Sequence, residues 1–365
     1  MARAEPRRTR RLLPGDGRDV REPVGEQDAE HDVAQDGVAH LPRVRHGGGG
    51  WLTRVSGMRS LAEPDTYGRL GVAVADAPVR GHLDVKTVGW LVLEGGAGQL
   101  AVVDLAVNKV TQTIDRLNAP TGLARAPTEN RLYIANGDGK VLIYVGAPLK
   151  PETEVALGKD LGAIHYDPGS ERMYLPFGPS KIAIFDAIHN KHWNDTRLDW
   201  RAGPLALADG STLMYIGAVG DKRIMVADRD NNKQAGNWAT GDYADPQSLV
   251  LDEDAGRLVA AFDKPAALAW FDLTDGSMKG HADSCAKPGQ LLADGSRGAI
   301  YLACGDGSIE VFHRDTSGNY AKGGSIDTAP GATAAVMVPL SGRVFLAVPA
   351  SGSQPAEIRI FEPAS

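Results

Sequence analysis

Short apolar runs recur along the chain in pairs, and they predict a series of β-hairpins. The first run of each pair is centred on an aromatic or branched residue, at Val92, Tyr133, Tyr174, Tyr215, Val259, Tyr301 and Phe345. The second run follows at 100–105, 141–145, 182–186, 223–228, 268–272, 309–313 and 358–362. Apolar runs joined by Gly- and Asp-rich connections are typical of hairpins. The clearest turns are 136–139 and 305–307, since Gly and Asp tolerate the positive φ of tight turns.

Prolines mark the same repeat with a period of 42 residues. They precede the hairpins at Pro78, Pro120, Pro204, Pro246, Pro288 and Pro330, and a glycine holds the missing position, 162. A period of about 40–45 residues is typical of a β-propeller, in which each repeat is one blade. We therefore predict an all-β fold, a seven-bladed β-propeller with four-stranded antiparallel blades. A β-sandwich with coincidental spacing is the alternative.

The propeller is predicted to span residues 67–365. The last repeat ends in its third strand and lacks an outer strand of its own. We expect an N-terminal strand near 70–76 to supply it and close the ring, because closure removes an open sheet edge.

Residues 1–60 do not follow the repeat and are predicted to be an extension. They hold eleven arginines and no lysine. One interpretation is a disordered segment, because it cannot bury enough apolar surface to offset the entropy of ordering. The other is spurious sequence before a mis-assigned start, with Met58 as a later start. No secretory signal is visible, since Leu12 and Leu13 are followed at once by Pro14.

Composition narrows the class of partner. The 44 glycines and 22 prolines in 365 residues fit a turn-rich all-β protein. No run of 18 apolar residues exists, so no membrane span is expected. The formal net charge of −7 argues against nucleic-acid binding, which needs a clustered basic surface.

The two cysteines, Cys285 and Cys304, both belong to the sixth repeat. They flank antiparallel strands, so their sulfurs are expected to lie near one another. A disulfide and a pair of buried reduced thiols both remain open. No CxxC motif or Cys/His cluster is present, so neither a metal site nor a cofactor is predicted.

The candidate binding site is the face of the propeller around its central channel. The loops before the inner strands share that face with the turns between second and third strands, and loops on a rigid scaffold often carry function. The candidate ligand-binding residues near the proline positions are Arg80, His82, Asn118, Asp160, His165, Arg201, Tyr243, Asp245 and Lys287. Each of them alone also fits a solvated loop residue or a cap. No catalytic residue is predicted.

A lactonase-like hydrolase acting in the channel is the alternative function. A metal-dependent form needs oxygen ligands, which Asn118, Asp160 and Asp245 would offer. A metal-free form would use His82 or His165 as its general base. No G-x-S-x-G, P-loop or HExxH motif is present to single out an active site.

The string RLYIANG at 131–137, with similar strings at 172, 213, 299 and 343, resembles the YVTN-type β-propeller repeats of the YncE-like family. The resemblance covers roughly 70–365. It implies a bacterial binding or scaffolding protein without known catalysis, which recognises a small molecule or a protein partner. It also implies a periplasmic or other extracytoplasmic location, with the cytoplasm as the alternative because no signal is visible. We expect a monomer without a cofactor.

Overall fold

Antiparallel β-structure makes up nearly all of the regular structure. The computed structural model describes residues 52–59, 70–74, 89–94, 98–104, 109–126, 130–338, 342–353 and 356–363. Within these ranges the strands form four-stranded antiparallel sheets. Helical structure there is limited to two 3-10 turns, Glu253–Ala255 and Gly295–Arg297.

Every sheet repeats the same order of strands, and the first two positions lie nearest its inner edge. The first strands are β2 (Leu70–Val74), β6 (Gly122–Ala126), β10 (His165–Asp167), β14 (Ala202–Leu207), β18 (Ala244–Asp252), β22 (Pro288–Asp294) and β26 (Ala334–Val338). The second strands are β3 (Gly89–Glu94), β7 (Arg131–Asn136), β11 (Arg172–Phe177), β15 (Leu213–Ala218), β19 (Arg257–Lys264), β23 (Ala299–Cys304) and β27 (Arg343–Val348).

The third and fourth positions complete each sheet toward the outside. The third strands are β4 (Gln99–Asp104), β8 (Lys140–Val145), β12 (Lys181–Asp186), β16 (Arg223–Asp228), β20 (Ala266–Asp272), β24 (Ser308–Arg314) and β28 (Glu357–Pro363). The fourth strands are β5 (Lys109–Ile114), β9 (Lys150–Ala156), β13 (Lys191–Arg197), β17 (Lys233–Ala239), β21 (Met278–Asp283), β25 (Tyr320–Asp327) and, from the N-terminal side, β1 (Leu52–Arg59).

In the described part of the chain, six blades are built from four consecutive strands each, from β2–β5 to β22–β25. The last repeat supplies only β26–β28, and β1 pairs with β28 to complete a composite sheet. The prediction of a propeller with four-stranded antiparallel blades is confirmed. Six of the seven predicted repeats form a blade on their own, and the seventh does not.

The predicted closing strand is wrong. Residues 70–74 form β2, the first strand of the first blade, which pairs with β3. The strand that pairs with the end of the chain is β1, at 52–59, which the sequence assigned to the extension. β2 is already engaged as the first strand of its own blade, so the edge of β28 pairs with the earlier strand β1. Residues 1–51 lie outside the described residues.

Burial explains why the second strands carry the aromatic residues. Neighbouring blades cover both faces of these strands, so β23 is buried at all six positions. Tyr133, Tyr174 and Tyr301 are among the largest fully buried side chains. The fourth strands border solvent, and β9 is exposed at six of its seven positions. The apolar repeat of the sequence therefore reflects packing between blades.

Contacts between first strands link each sheet to the next. β6 contacts β2 and β10, β14 contacts β10 and β18, and β22 contacts β18 and β26. β26 of the composite sheet also contacts β2. The first strands consequently surround a common centre.

Ion pairs also join adjacent blades. Asp167, which ends β10, lies 2.6 Å through its Oδ2 from Nη1 of Arg229, which follows β16 in the next blade. Asp252, which ends β18, pairs in the same way with Arg314 at the end of β24. Both pairs lie at the ends of first strands, so they hold the blades together on the side remote from the proline positions.

Candidate functional site

The segments between blades, here called connectors, are fixed to the turns between second and third strands. The N–H groups of Gly137, Gly178 and Gly305 donate to the carbonyl oxygens of Asn118, Lys159 and Lys287, at 2.6, 2.9 and 3.0 Å. The same bond joins Val219 N–H to the Arg201 carbonyl at 3.0 Å. Connectors and turns therefore share one face, here called the connector face.

The residue immediately before a proline is left-handed where three of the blades begin, in two connectors and at the start of β18. Ala119, Asp245 and Lys287 have φ of 40°, 61° and 60°. A residue with a Cβ pays a steric cost in this region, and it is held there only when its surroundings fix it. At these positions backbone hydrogen bonds to the turns supply that constraint.

Five of the sequence-predicted site residues lie on this face without forming a common cluster. Asn118, Asp160, Arg201 and Lys287 are exposed. Asp245 bridges two blades, since its Oδ1 accepts from Gly220 N–H at 3.0 Å and its Oδ2 lies 3.8 Å from Lys264 Nζ.

The remaining candidates have other positions. Tyr243 packs its ring against Phe262 and His281, with ring centroids 5.5 Å apart in both pairs, so it has a packing role. Arg80 and His82 lie outside the described residues. His165 is separated from the others, because it begins β10 and faces the channel.

A cavity of about 460 Å³ lies among the first strands β10, β14, β18 and β22. We call it the channel cavity. Its walls combine aliphatic side chains, among them Leu205, Leu249 and Leu291, with polar and acidic groups. His165 and Gln290 contribute polar groups to the lining. First strands of several blades converge at this concavity, and it is our candidate site.

Burial keeps the His165 side chain neutral. Desolvation lowers the pKa of its imidazole from 6.5 to about 4. The ring therefore offers one donor and one acceptor at neutral pH. It is an uncharged hydrogen-bonding group in the part of the wall that the leucines form.

Acidic residues surround the end of the channel cavity that lies beyond the first strands. Asp209, Glu253 and Asp254 line it. Asp209 N–H donates to Glu253 Oε1 at 2.9 Å. Desolvation, and then the charge of Glu253, raise the pKa of the Asp209 carboxyl. This end of the cavity therefore favours a neutral or cationic ligand group over an anion.

Sequence reasoning missed most of this cavity. Leu205, Leu249 and Leu291 belong to first strands whose small and branched residues carry no motif. One sequence feature could have pointed to the cavity: an aspartate ends several first strands, at Asp167, Asp252 and Asp294. These acids turned out to accept from backbone N–H groups and arginines, so they mark the strand ends next to the cavity.

Cys285 and Cys304 form a disulfide, with a Cα–Cα distance of 6.1 Å. It joins the connector before β22 to the end of β23. The disulfide therefore ties the connector face to the interior of its blade.

No helix long and apolar enough to cross a membrane occurs among the described residues.

No protein-family model matches this chain. No curated protein matches it by sequence. Among solved structures, it is similar to a functionally unknown protein from Desulfotomaculum acetoxidans DSM 771, with a TM-score of 0.63 and 11% identity, over 70% of this chain and 90% of that one. At this identity the similarity shows the β-propeller fold alone. The YVTN-type, YncE-like assignment is not confirmed.

Proposed function

We propose that this protein is a non-catalytic binding protein that takes a small polar molecule in the channel cavity. The observation that carries the proposal is a cavity whose wall joins a neutral His165 and Gln290 to leucines on neighbouring first strands. Small-molecule sites are typically apolar concavities of about 300–1,000 Å³ with a few placed polar groups. The channel cavity, at about 460 Å³, lies within that range of volume, and its wall is richer in polar groups than such sites usually are.

The lining suggests the chemistry of the ligand. The leucines favour an apolar ring or chain, and His165 and Gln290 favour hydroxyl or amide groups that both donate and accept. The acids at one end favour an ammonium group or further hydroxyl groups. An amino sugar or another compact polyol with a basic group combines these features.

The same proposal includes two finer points about the fold and its setting. We infer that the composite sheet closes the circle of the six blades, and the contacts of its strand β26 with β22 and β2 support this inference. The protein is YVTN-like and works as a monomer in an extracytoplasmic compartment, where a disulfide such as Cys285–Cys304 persists.

The lowered pKa of His165 favours binding over lactone hydrolysis. A general base acts best when its pKa lies near the working pH. An imidazole whose pKa has fallen to about 4 is a weak base at neutral pH. Lactone hydrolysis therefore remains the alternative function, and the screen described next separates it from binding.

The test is a thermal-shift screen of the full chain against amino sugars, polyols and sugar lactones, followed by calorimetry. Because a ligand that binds only the folded state raises the unfolding midpoint, a true ligand should raise it by several degrees. His165→Ala should abolish the rise, whereas His189→Ala, at an exposed hairpin turn, should retain it. A ligand that raises the midpoint equally in both variants would contradict binding in the channel cavity. Turnover of a lactone would contradict a non-catalytic role.

A further inference from the structure

Three potential metal ligands meet inside the sixth blade, and none of them lines the channel cavity. One ligand atom each from Cys285, Cys304 and Glu310 lies within 4.8 Å of the others. The three residues are only 6%, 0% and 5% exposed. In the oxidised protein both sulfurs are engaged in the disulfide.

We propose that reduction of this disulfide creates a site for a thiophilic divalent cation such as Zn²⁺. A phosphine or dithiol reductant supplies two electrons, the S–S bond breaks, and each sulfur takes up a proton. The incoming cation displaces both protons and binds two thiolates. A Glu310 carboxylate oxygen is the third ligand, and a water molecule completes a tetrahedral set.

The spacing of the three residues suits this geometry. Zinc–sulfur bonds are about 2.3 Å, so two thiolates on a tetrahedral zinc lie about 3.8 Å apart. The Cα atoms of Cys285 and Cys304 lie 6.1 Å apart, which leaves room for their sulfurs to separate by that amount, and the Glu310 carboxylate oxygen lies within 4.8 Å of both sulfurs. Rotation of the two cysteine side chains is therefore sufficient, and the strands β23 and β24 keep their register.

Glu310 is already held in place for this role. Its Oε2 accepts from the Cys285 N–H at 3.0 Å, and its Oε1 pairs with Lys322 Nζ. Outer partners of this kind orient a ligating carboxylate.

The charges of the loaded site cancel. Two thiolates and one carboxylate carry three negative charges, and the cation with Lys322 carries three positive charges. Neutrality matters because burying a net charge is costly. Without a cation, the apolar neighbours of the cysteines, which include Trp270 and Leu291, favour neutral thiols. The two thiolates therefore form only when the disulfide is reduced and a cation is bound.

The experiment titrates the full chain with Zn²⁺, and with Co²⁺ for its thiolate charge-transfer absorption, before and after treatment with a phosphine reductant. We expect one equivalent to bind the reduced chain and none at this site in the oxidised chain. The double variant Cys285→Ser/Cys304→Ser should lose binding, and Glu310→Gln should weaken it at least tenfold. Glu362→Gln, which removes a carboxylate paired with Arg343 near the protein surface, should leave it unchanged.

Two results would overturn the proposal. One is a reduced wild-type chain that remains folded by circular dichroism yet binds no cation. The other is binding of equal strength in oxidised and reduced protein, which would place the cation on surface carboxylates. Because both comparisons use the wild-type chain, they stand even if the serine variant fails to fold.

Discussion

Replacing Arg229 with alanine should destabilise the protein far more than any exposed arginine change. Arg229 is only 4% exposed. Its Nη2 donates to the Ala208 carbonyl at 2.6 Å, its Nε donates to the Thr212 carbonyl at 3.2 Å, and its Nη1 lies 2.6 Å from Asp167 Oδ2. The Asp167 side chain is only 13% exposed. Nη2 also donates to the Ser211 carbonyl at 2.5 Å, so truncation would leave a largely buried carboxylate and three carbonyl groups without this partner.

The magnitude follows from burial. Removing one partner of a buried ion pair costs about 3–5 kcal/mol, chiefly because the remaining charge stays buried. Domains are stable by only about 5–15 kcal/mol, so this is a large share. At about 2 °C per kcal/mol for a large domain, the unfolding midpoint should fall by roughly 6–10 °C.

The assay is thermal unfolding followed by circular dichroism, with Arg223→Ala as the matched control. Arg223 pairs with Asp221 at 2.6 Å, but its side chain is 38% exposed, and exposed pairs contribute little. The double variant Arg229→Met/Asp167→Asn should recover part of the loss, since it removes both buried charges. Equal unfolding midpoints for Arg229→Ala and Arg223→Ala would refute the argument from burial. So would a double variant whose loss of stability equals the sum of the losses from its two single changes.

Three further predictions concern buried side chains and close contacts. Tyr133→Phe should lower the free energy of unfolding by about 1–3 kcal/mol, because the Tyr133 hydroxyl donates to a buried carbonyl at 2.8 Å and its loss leaves that carbonyl unsatisfied. Tyr301→Phe should leave the stability nearly unchanged, since the buried Tyr301 hydroxyl has no partner among the described residues. Urea unfolding measures both variants. Gly289→Ala should lower the free energy of unfolding by about 1–3 kcal/mol, because the new Cβ would lie 2.4 Å from the Thr333 carbonyl oxygen in the next connector. Gly324→Ala is the control in the same assay, since the space around Gly324 is open. Burial lowers the pKa of His165 from 6.5 to about 4. Between these pH values the unfolded chain therefore binds more protons than the folded chain. The contribution of the neutral His165 to stability is complete above pH 6.5 and is lost as the pH falls to about 4. His165→Asn should therefore show a flatter pH dependence of the unfolding midpoint over that window, and an unchanged slope would contradict the assignment.

The repeat in the sequence predicted the blades because the physics of each blade is local. Tyr133, Tyr174 and Tyr301 recur where both faces of a strand are buried, so burial and period coincide. β1 escaped prediction because a bulge between Arg54 and Ser56 interrupts the alternation of apolar and polar positions that identifies a strand.

The candidate site was less predictable because it is assembled from separate repeats. His165 was found because a histidine beside a proline position stands out in the sequence. Leu249 and Gln290 have no local signature, since they matter only where four first strands converge. The pairing of Arg229 with Asp167 likewise depends on the contact between neighbouring blades.

The composite sheet makes the fold depend on the order in which the chain is synthesised. Leu52 is paired with Pro363, so β1 waits for its partner until nearly the entire chain has left the ribosome. Contacts between such distant residues slow folding, and an unpaired β28 would leave a sheet edge open to other chains. A circular permutant in which β1 directly follows β28 would form the composite sheet from consecutive strands, as in the other six. Such a chain should refold faster than the natural one while keeping the same arrangement of strands.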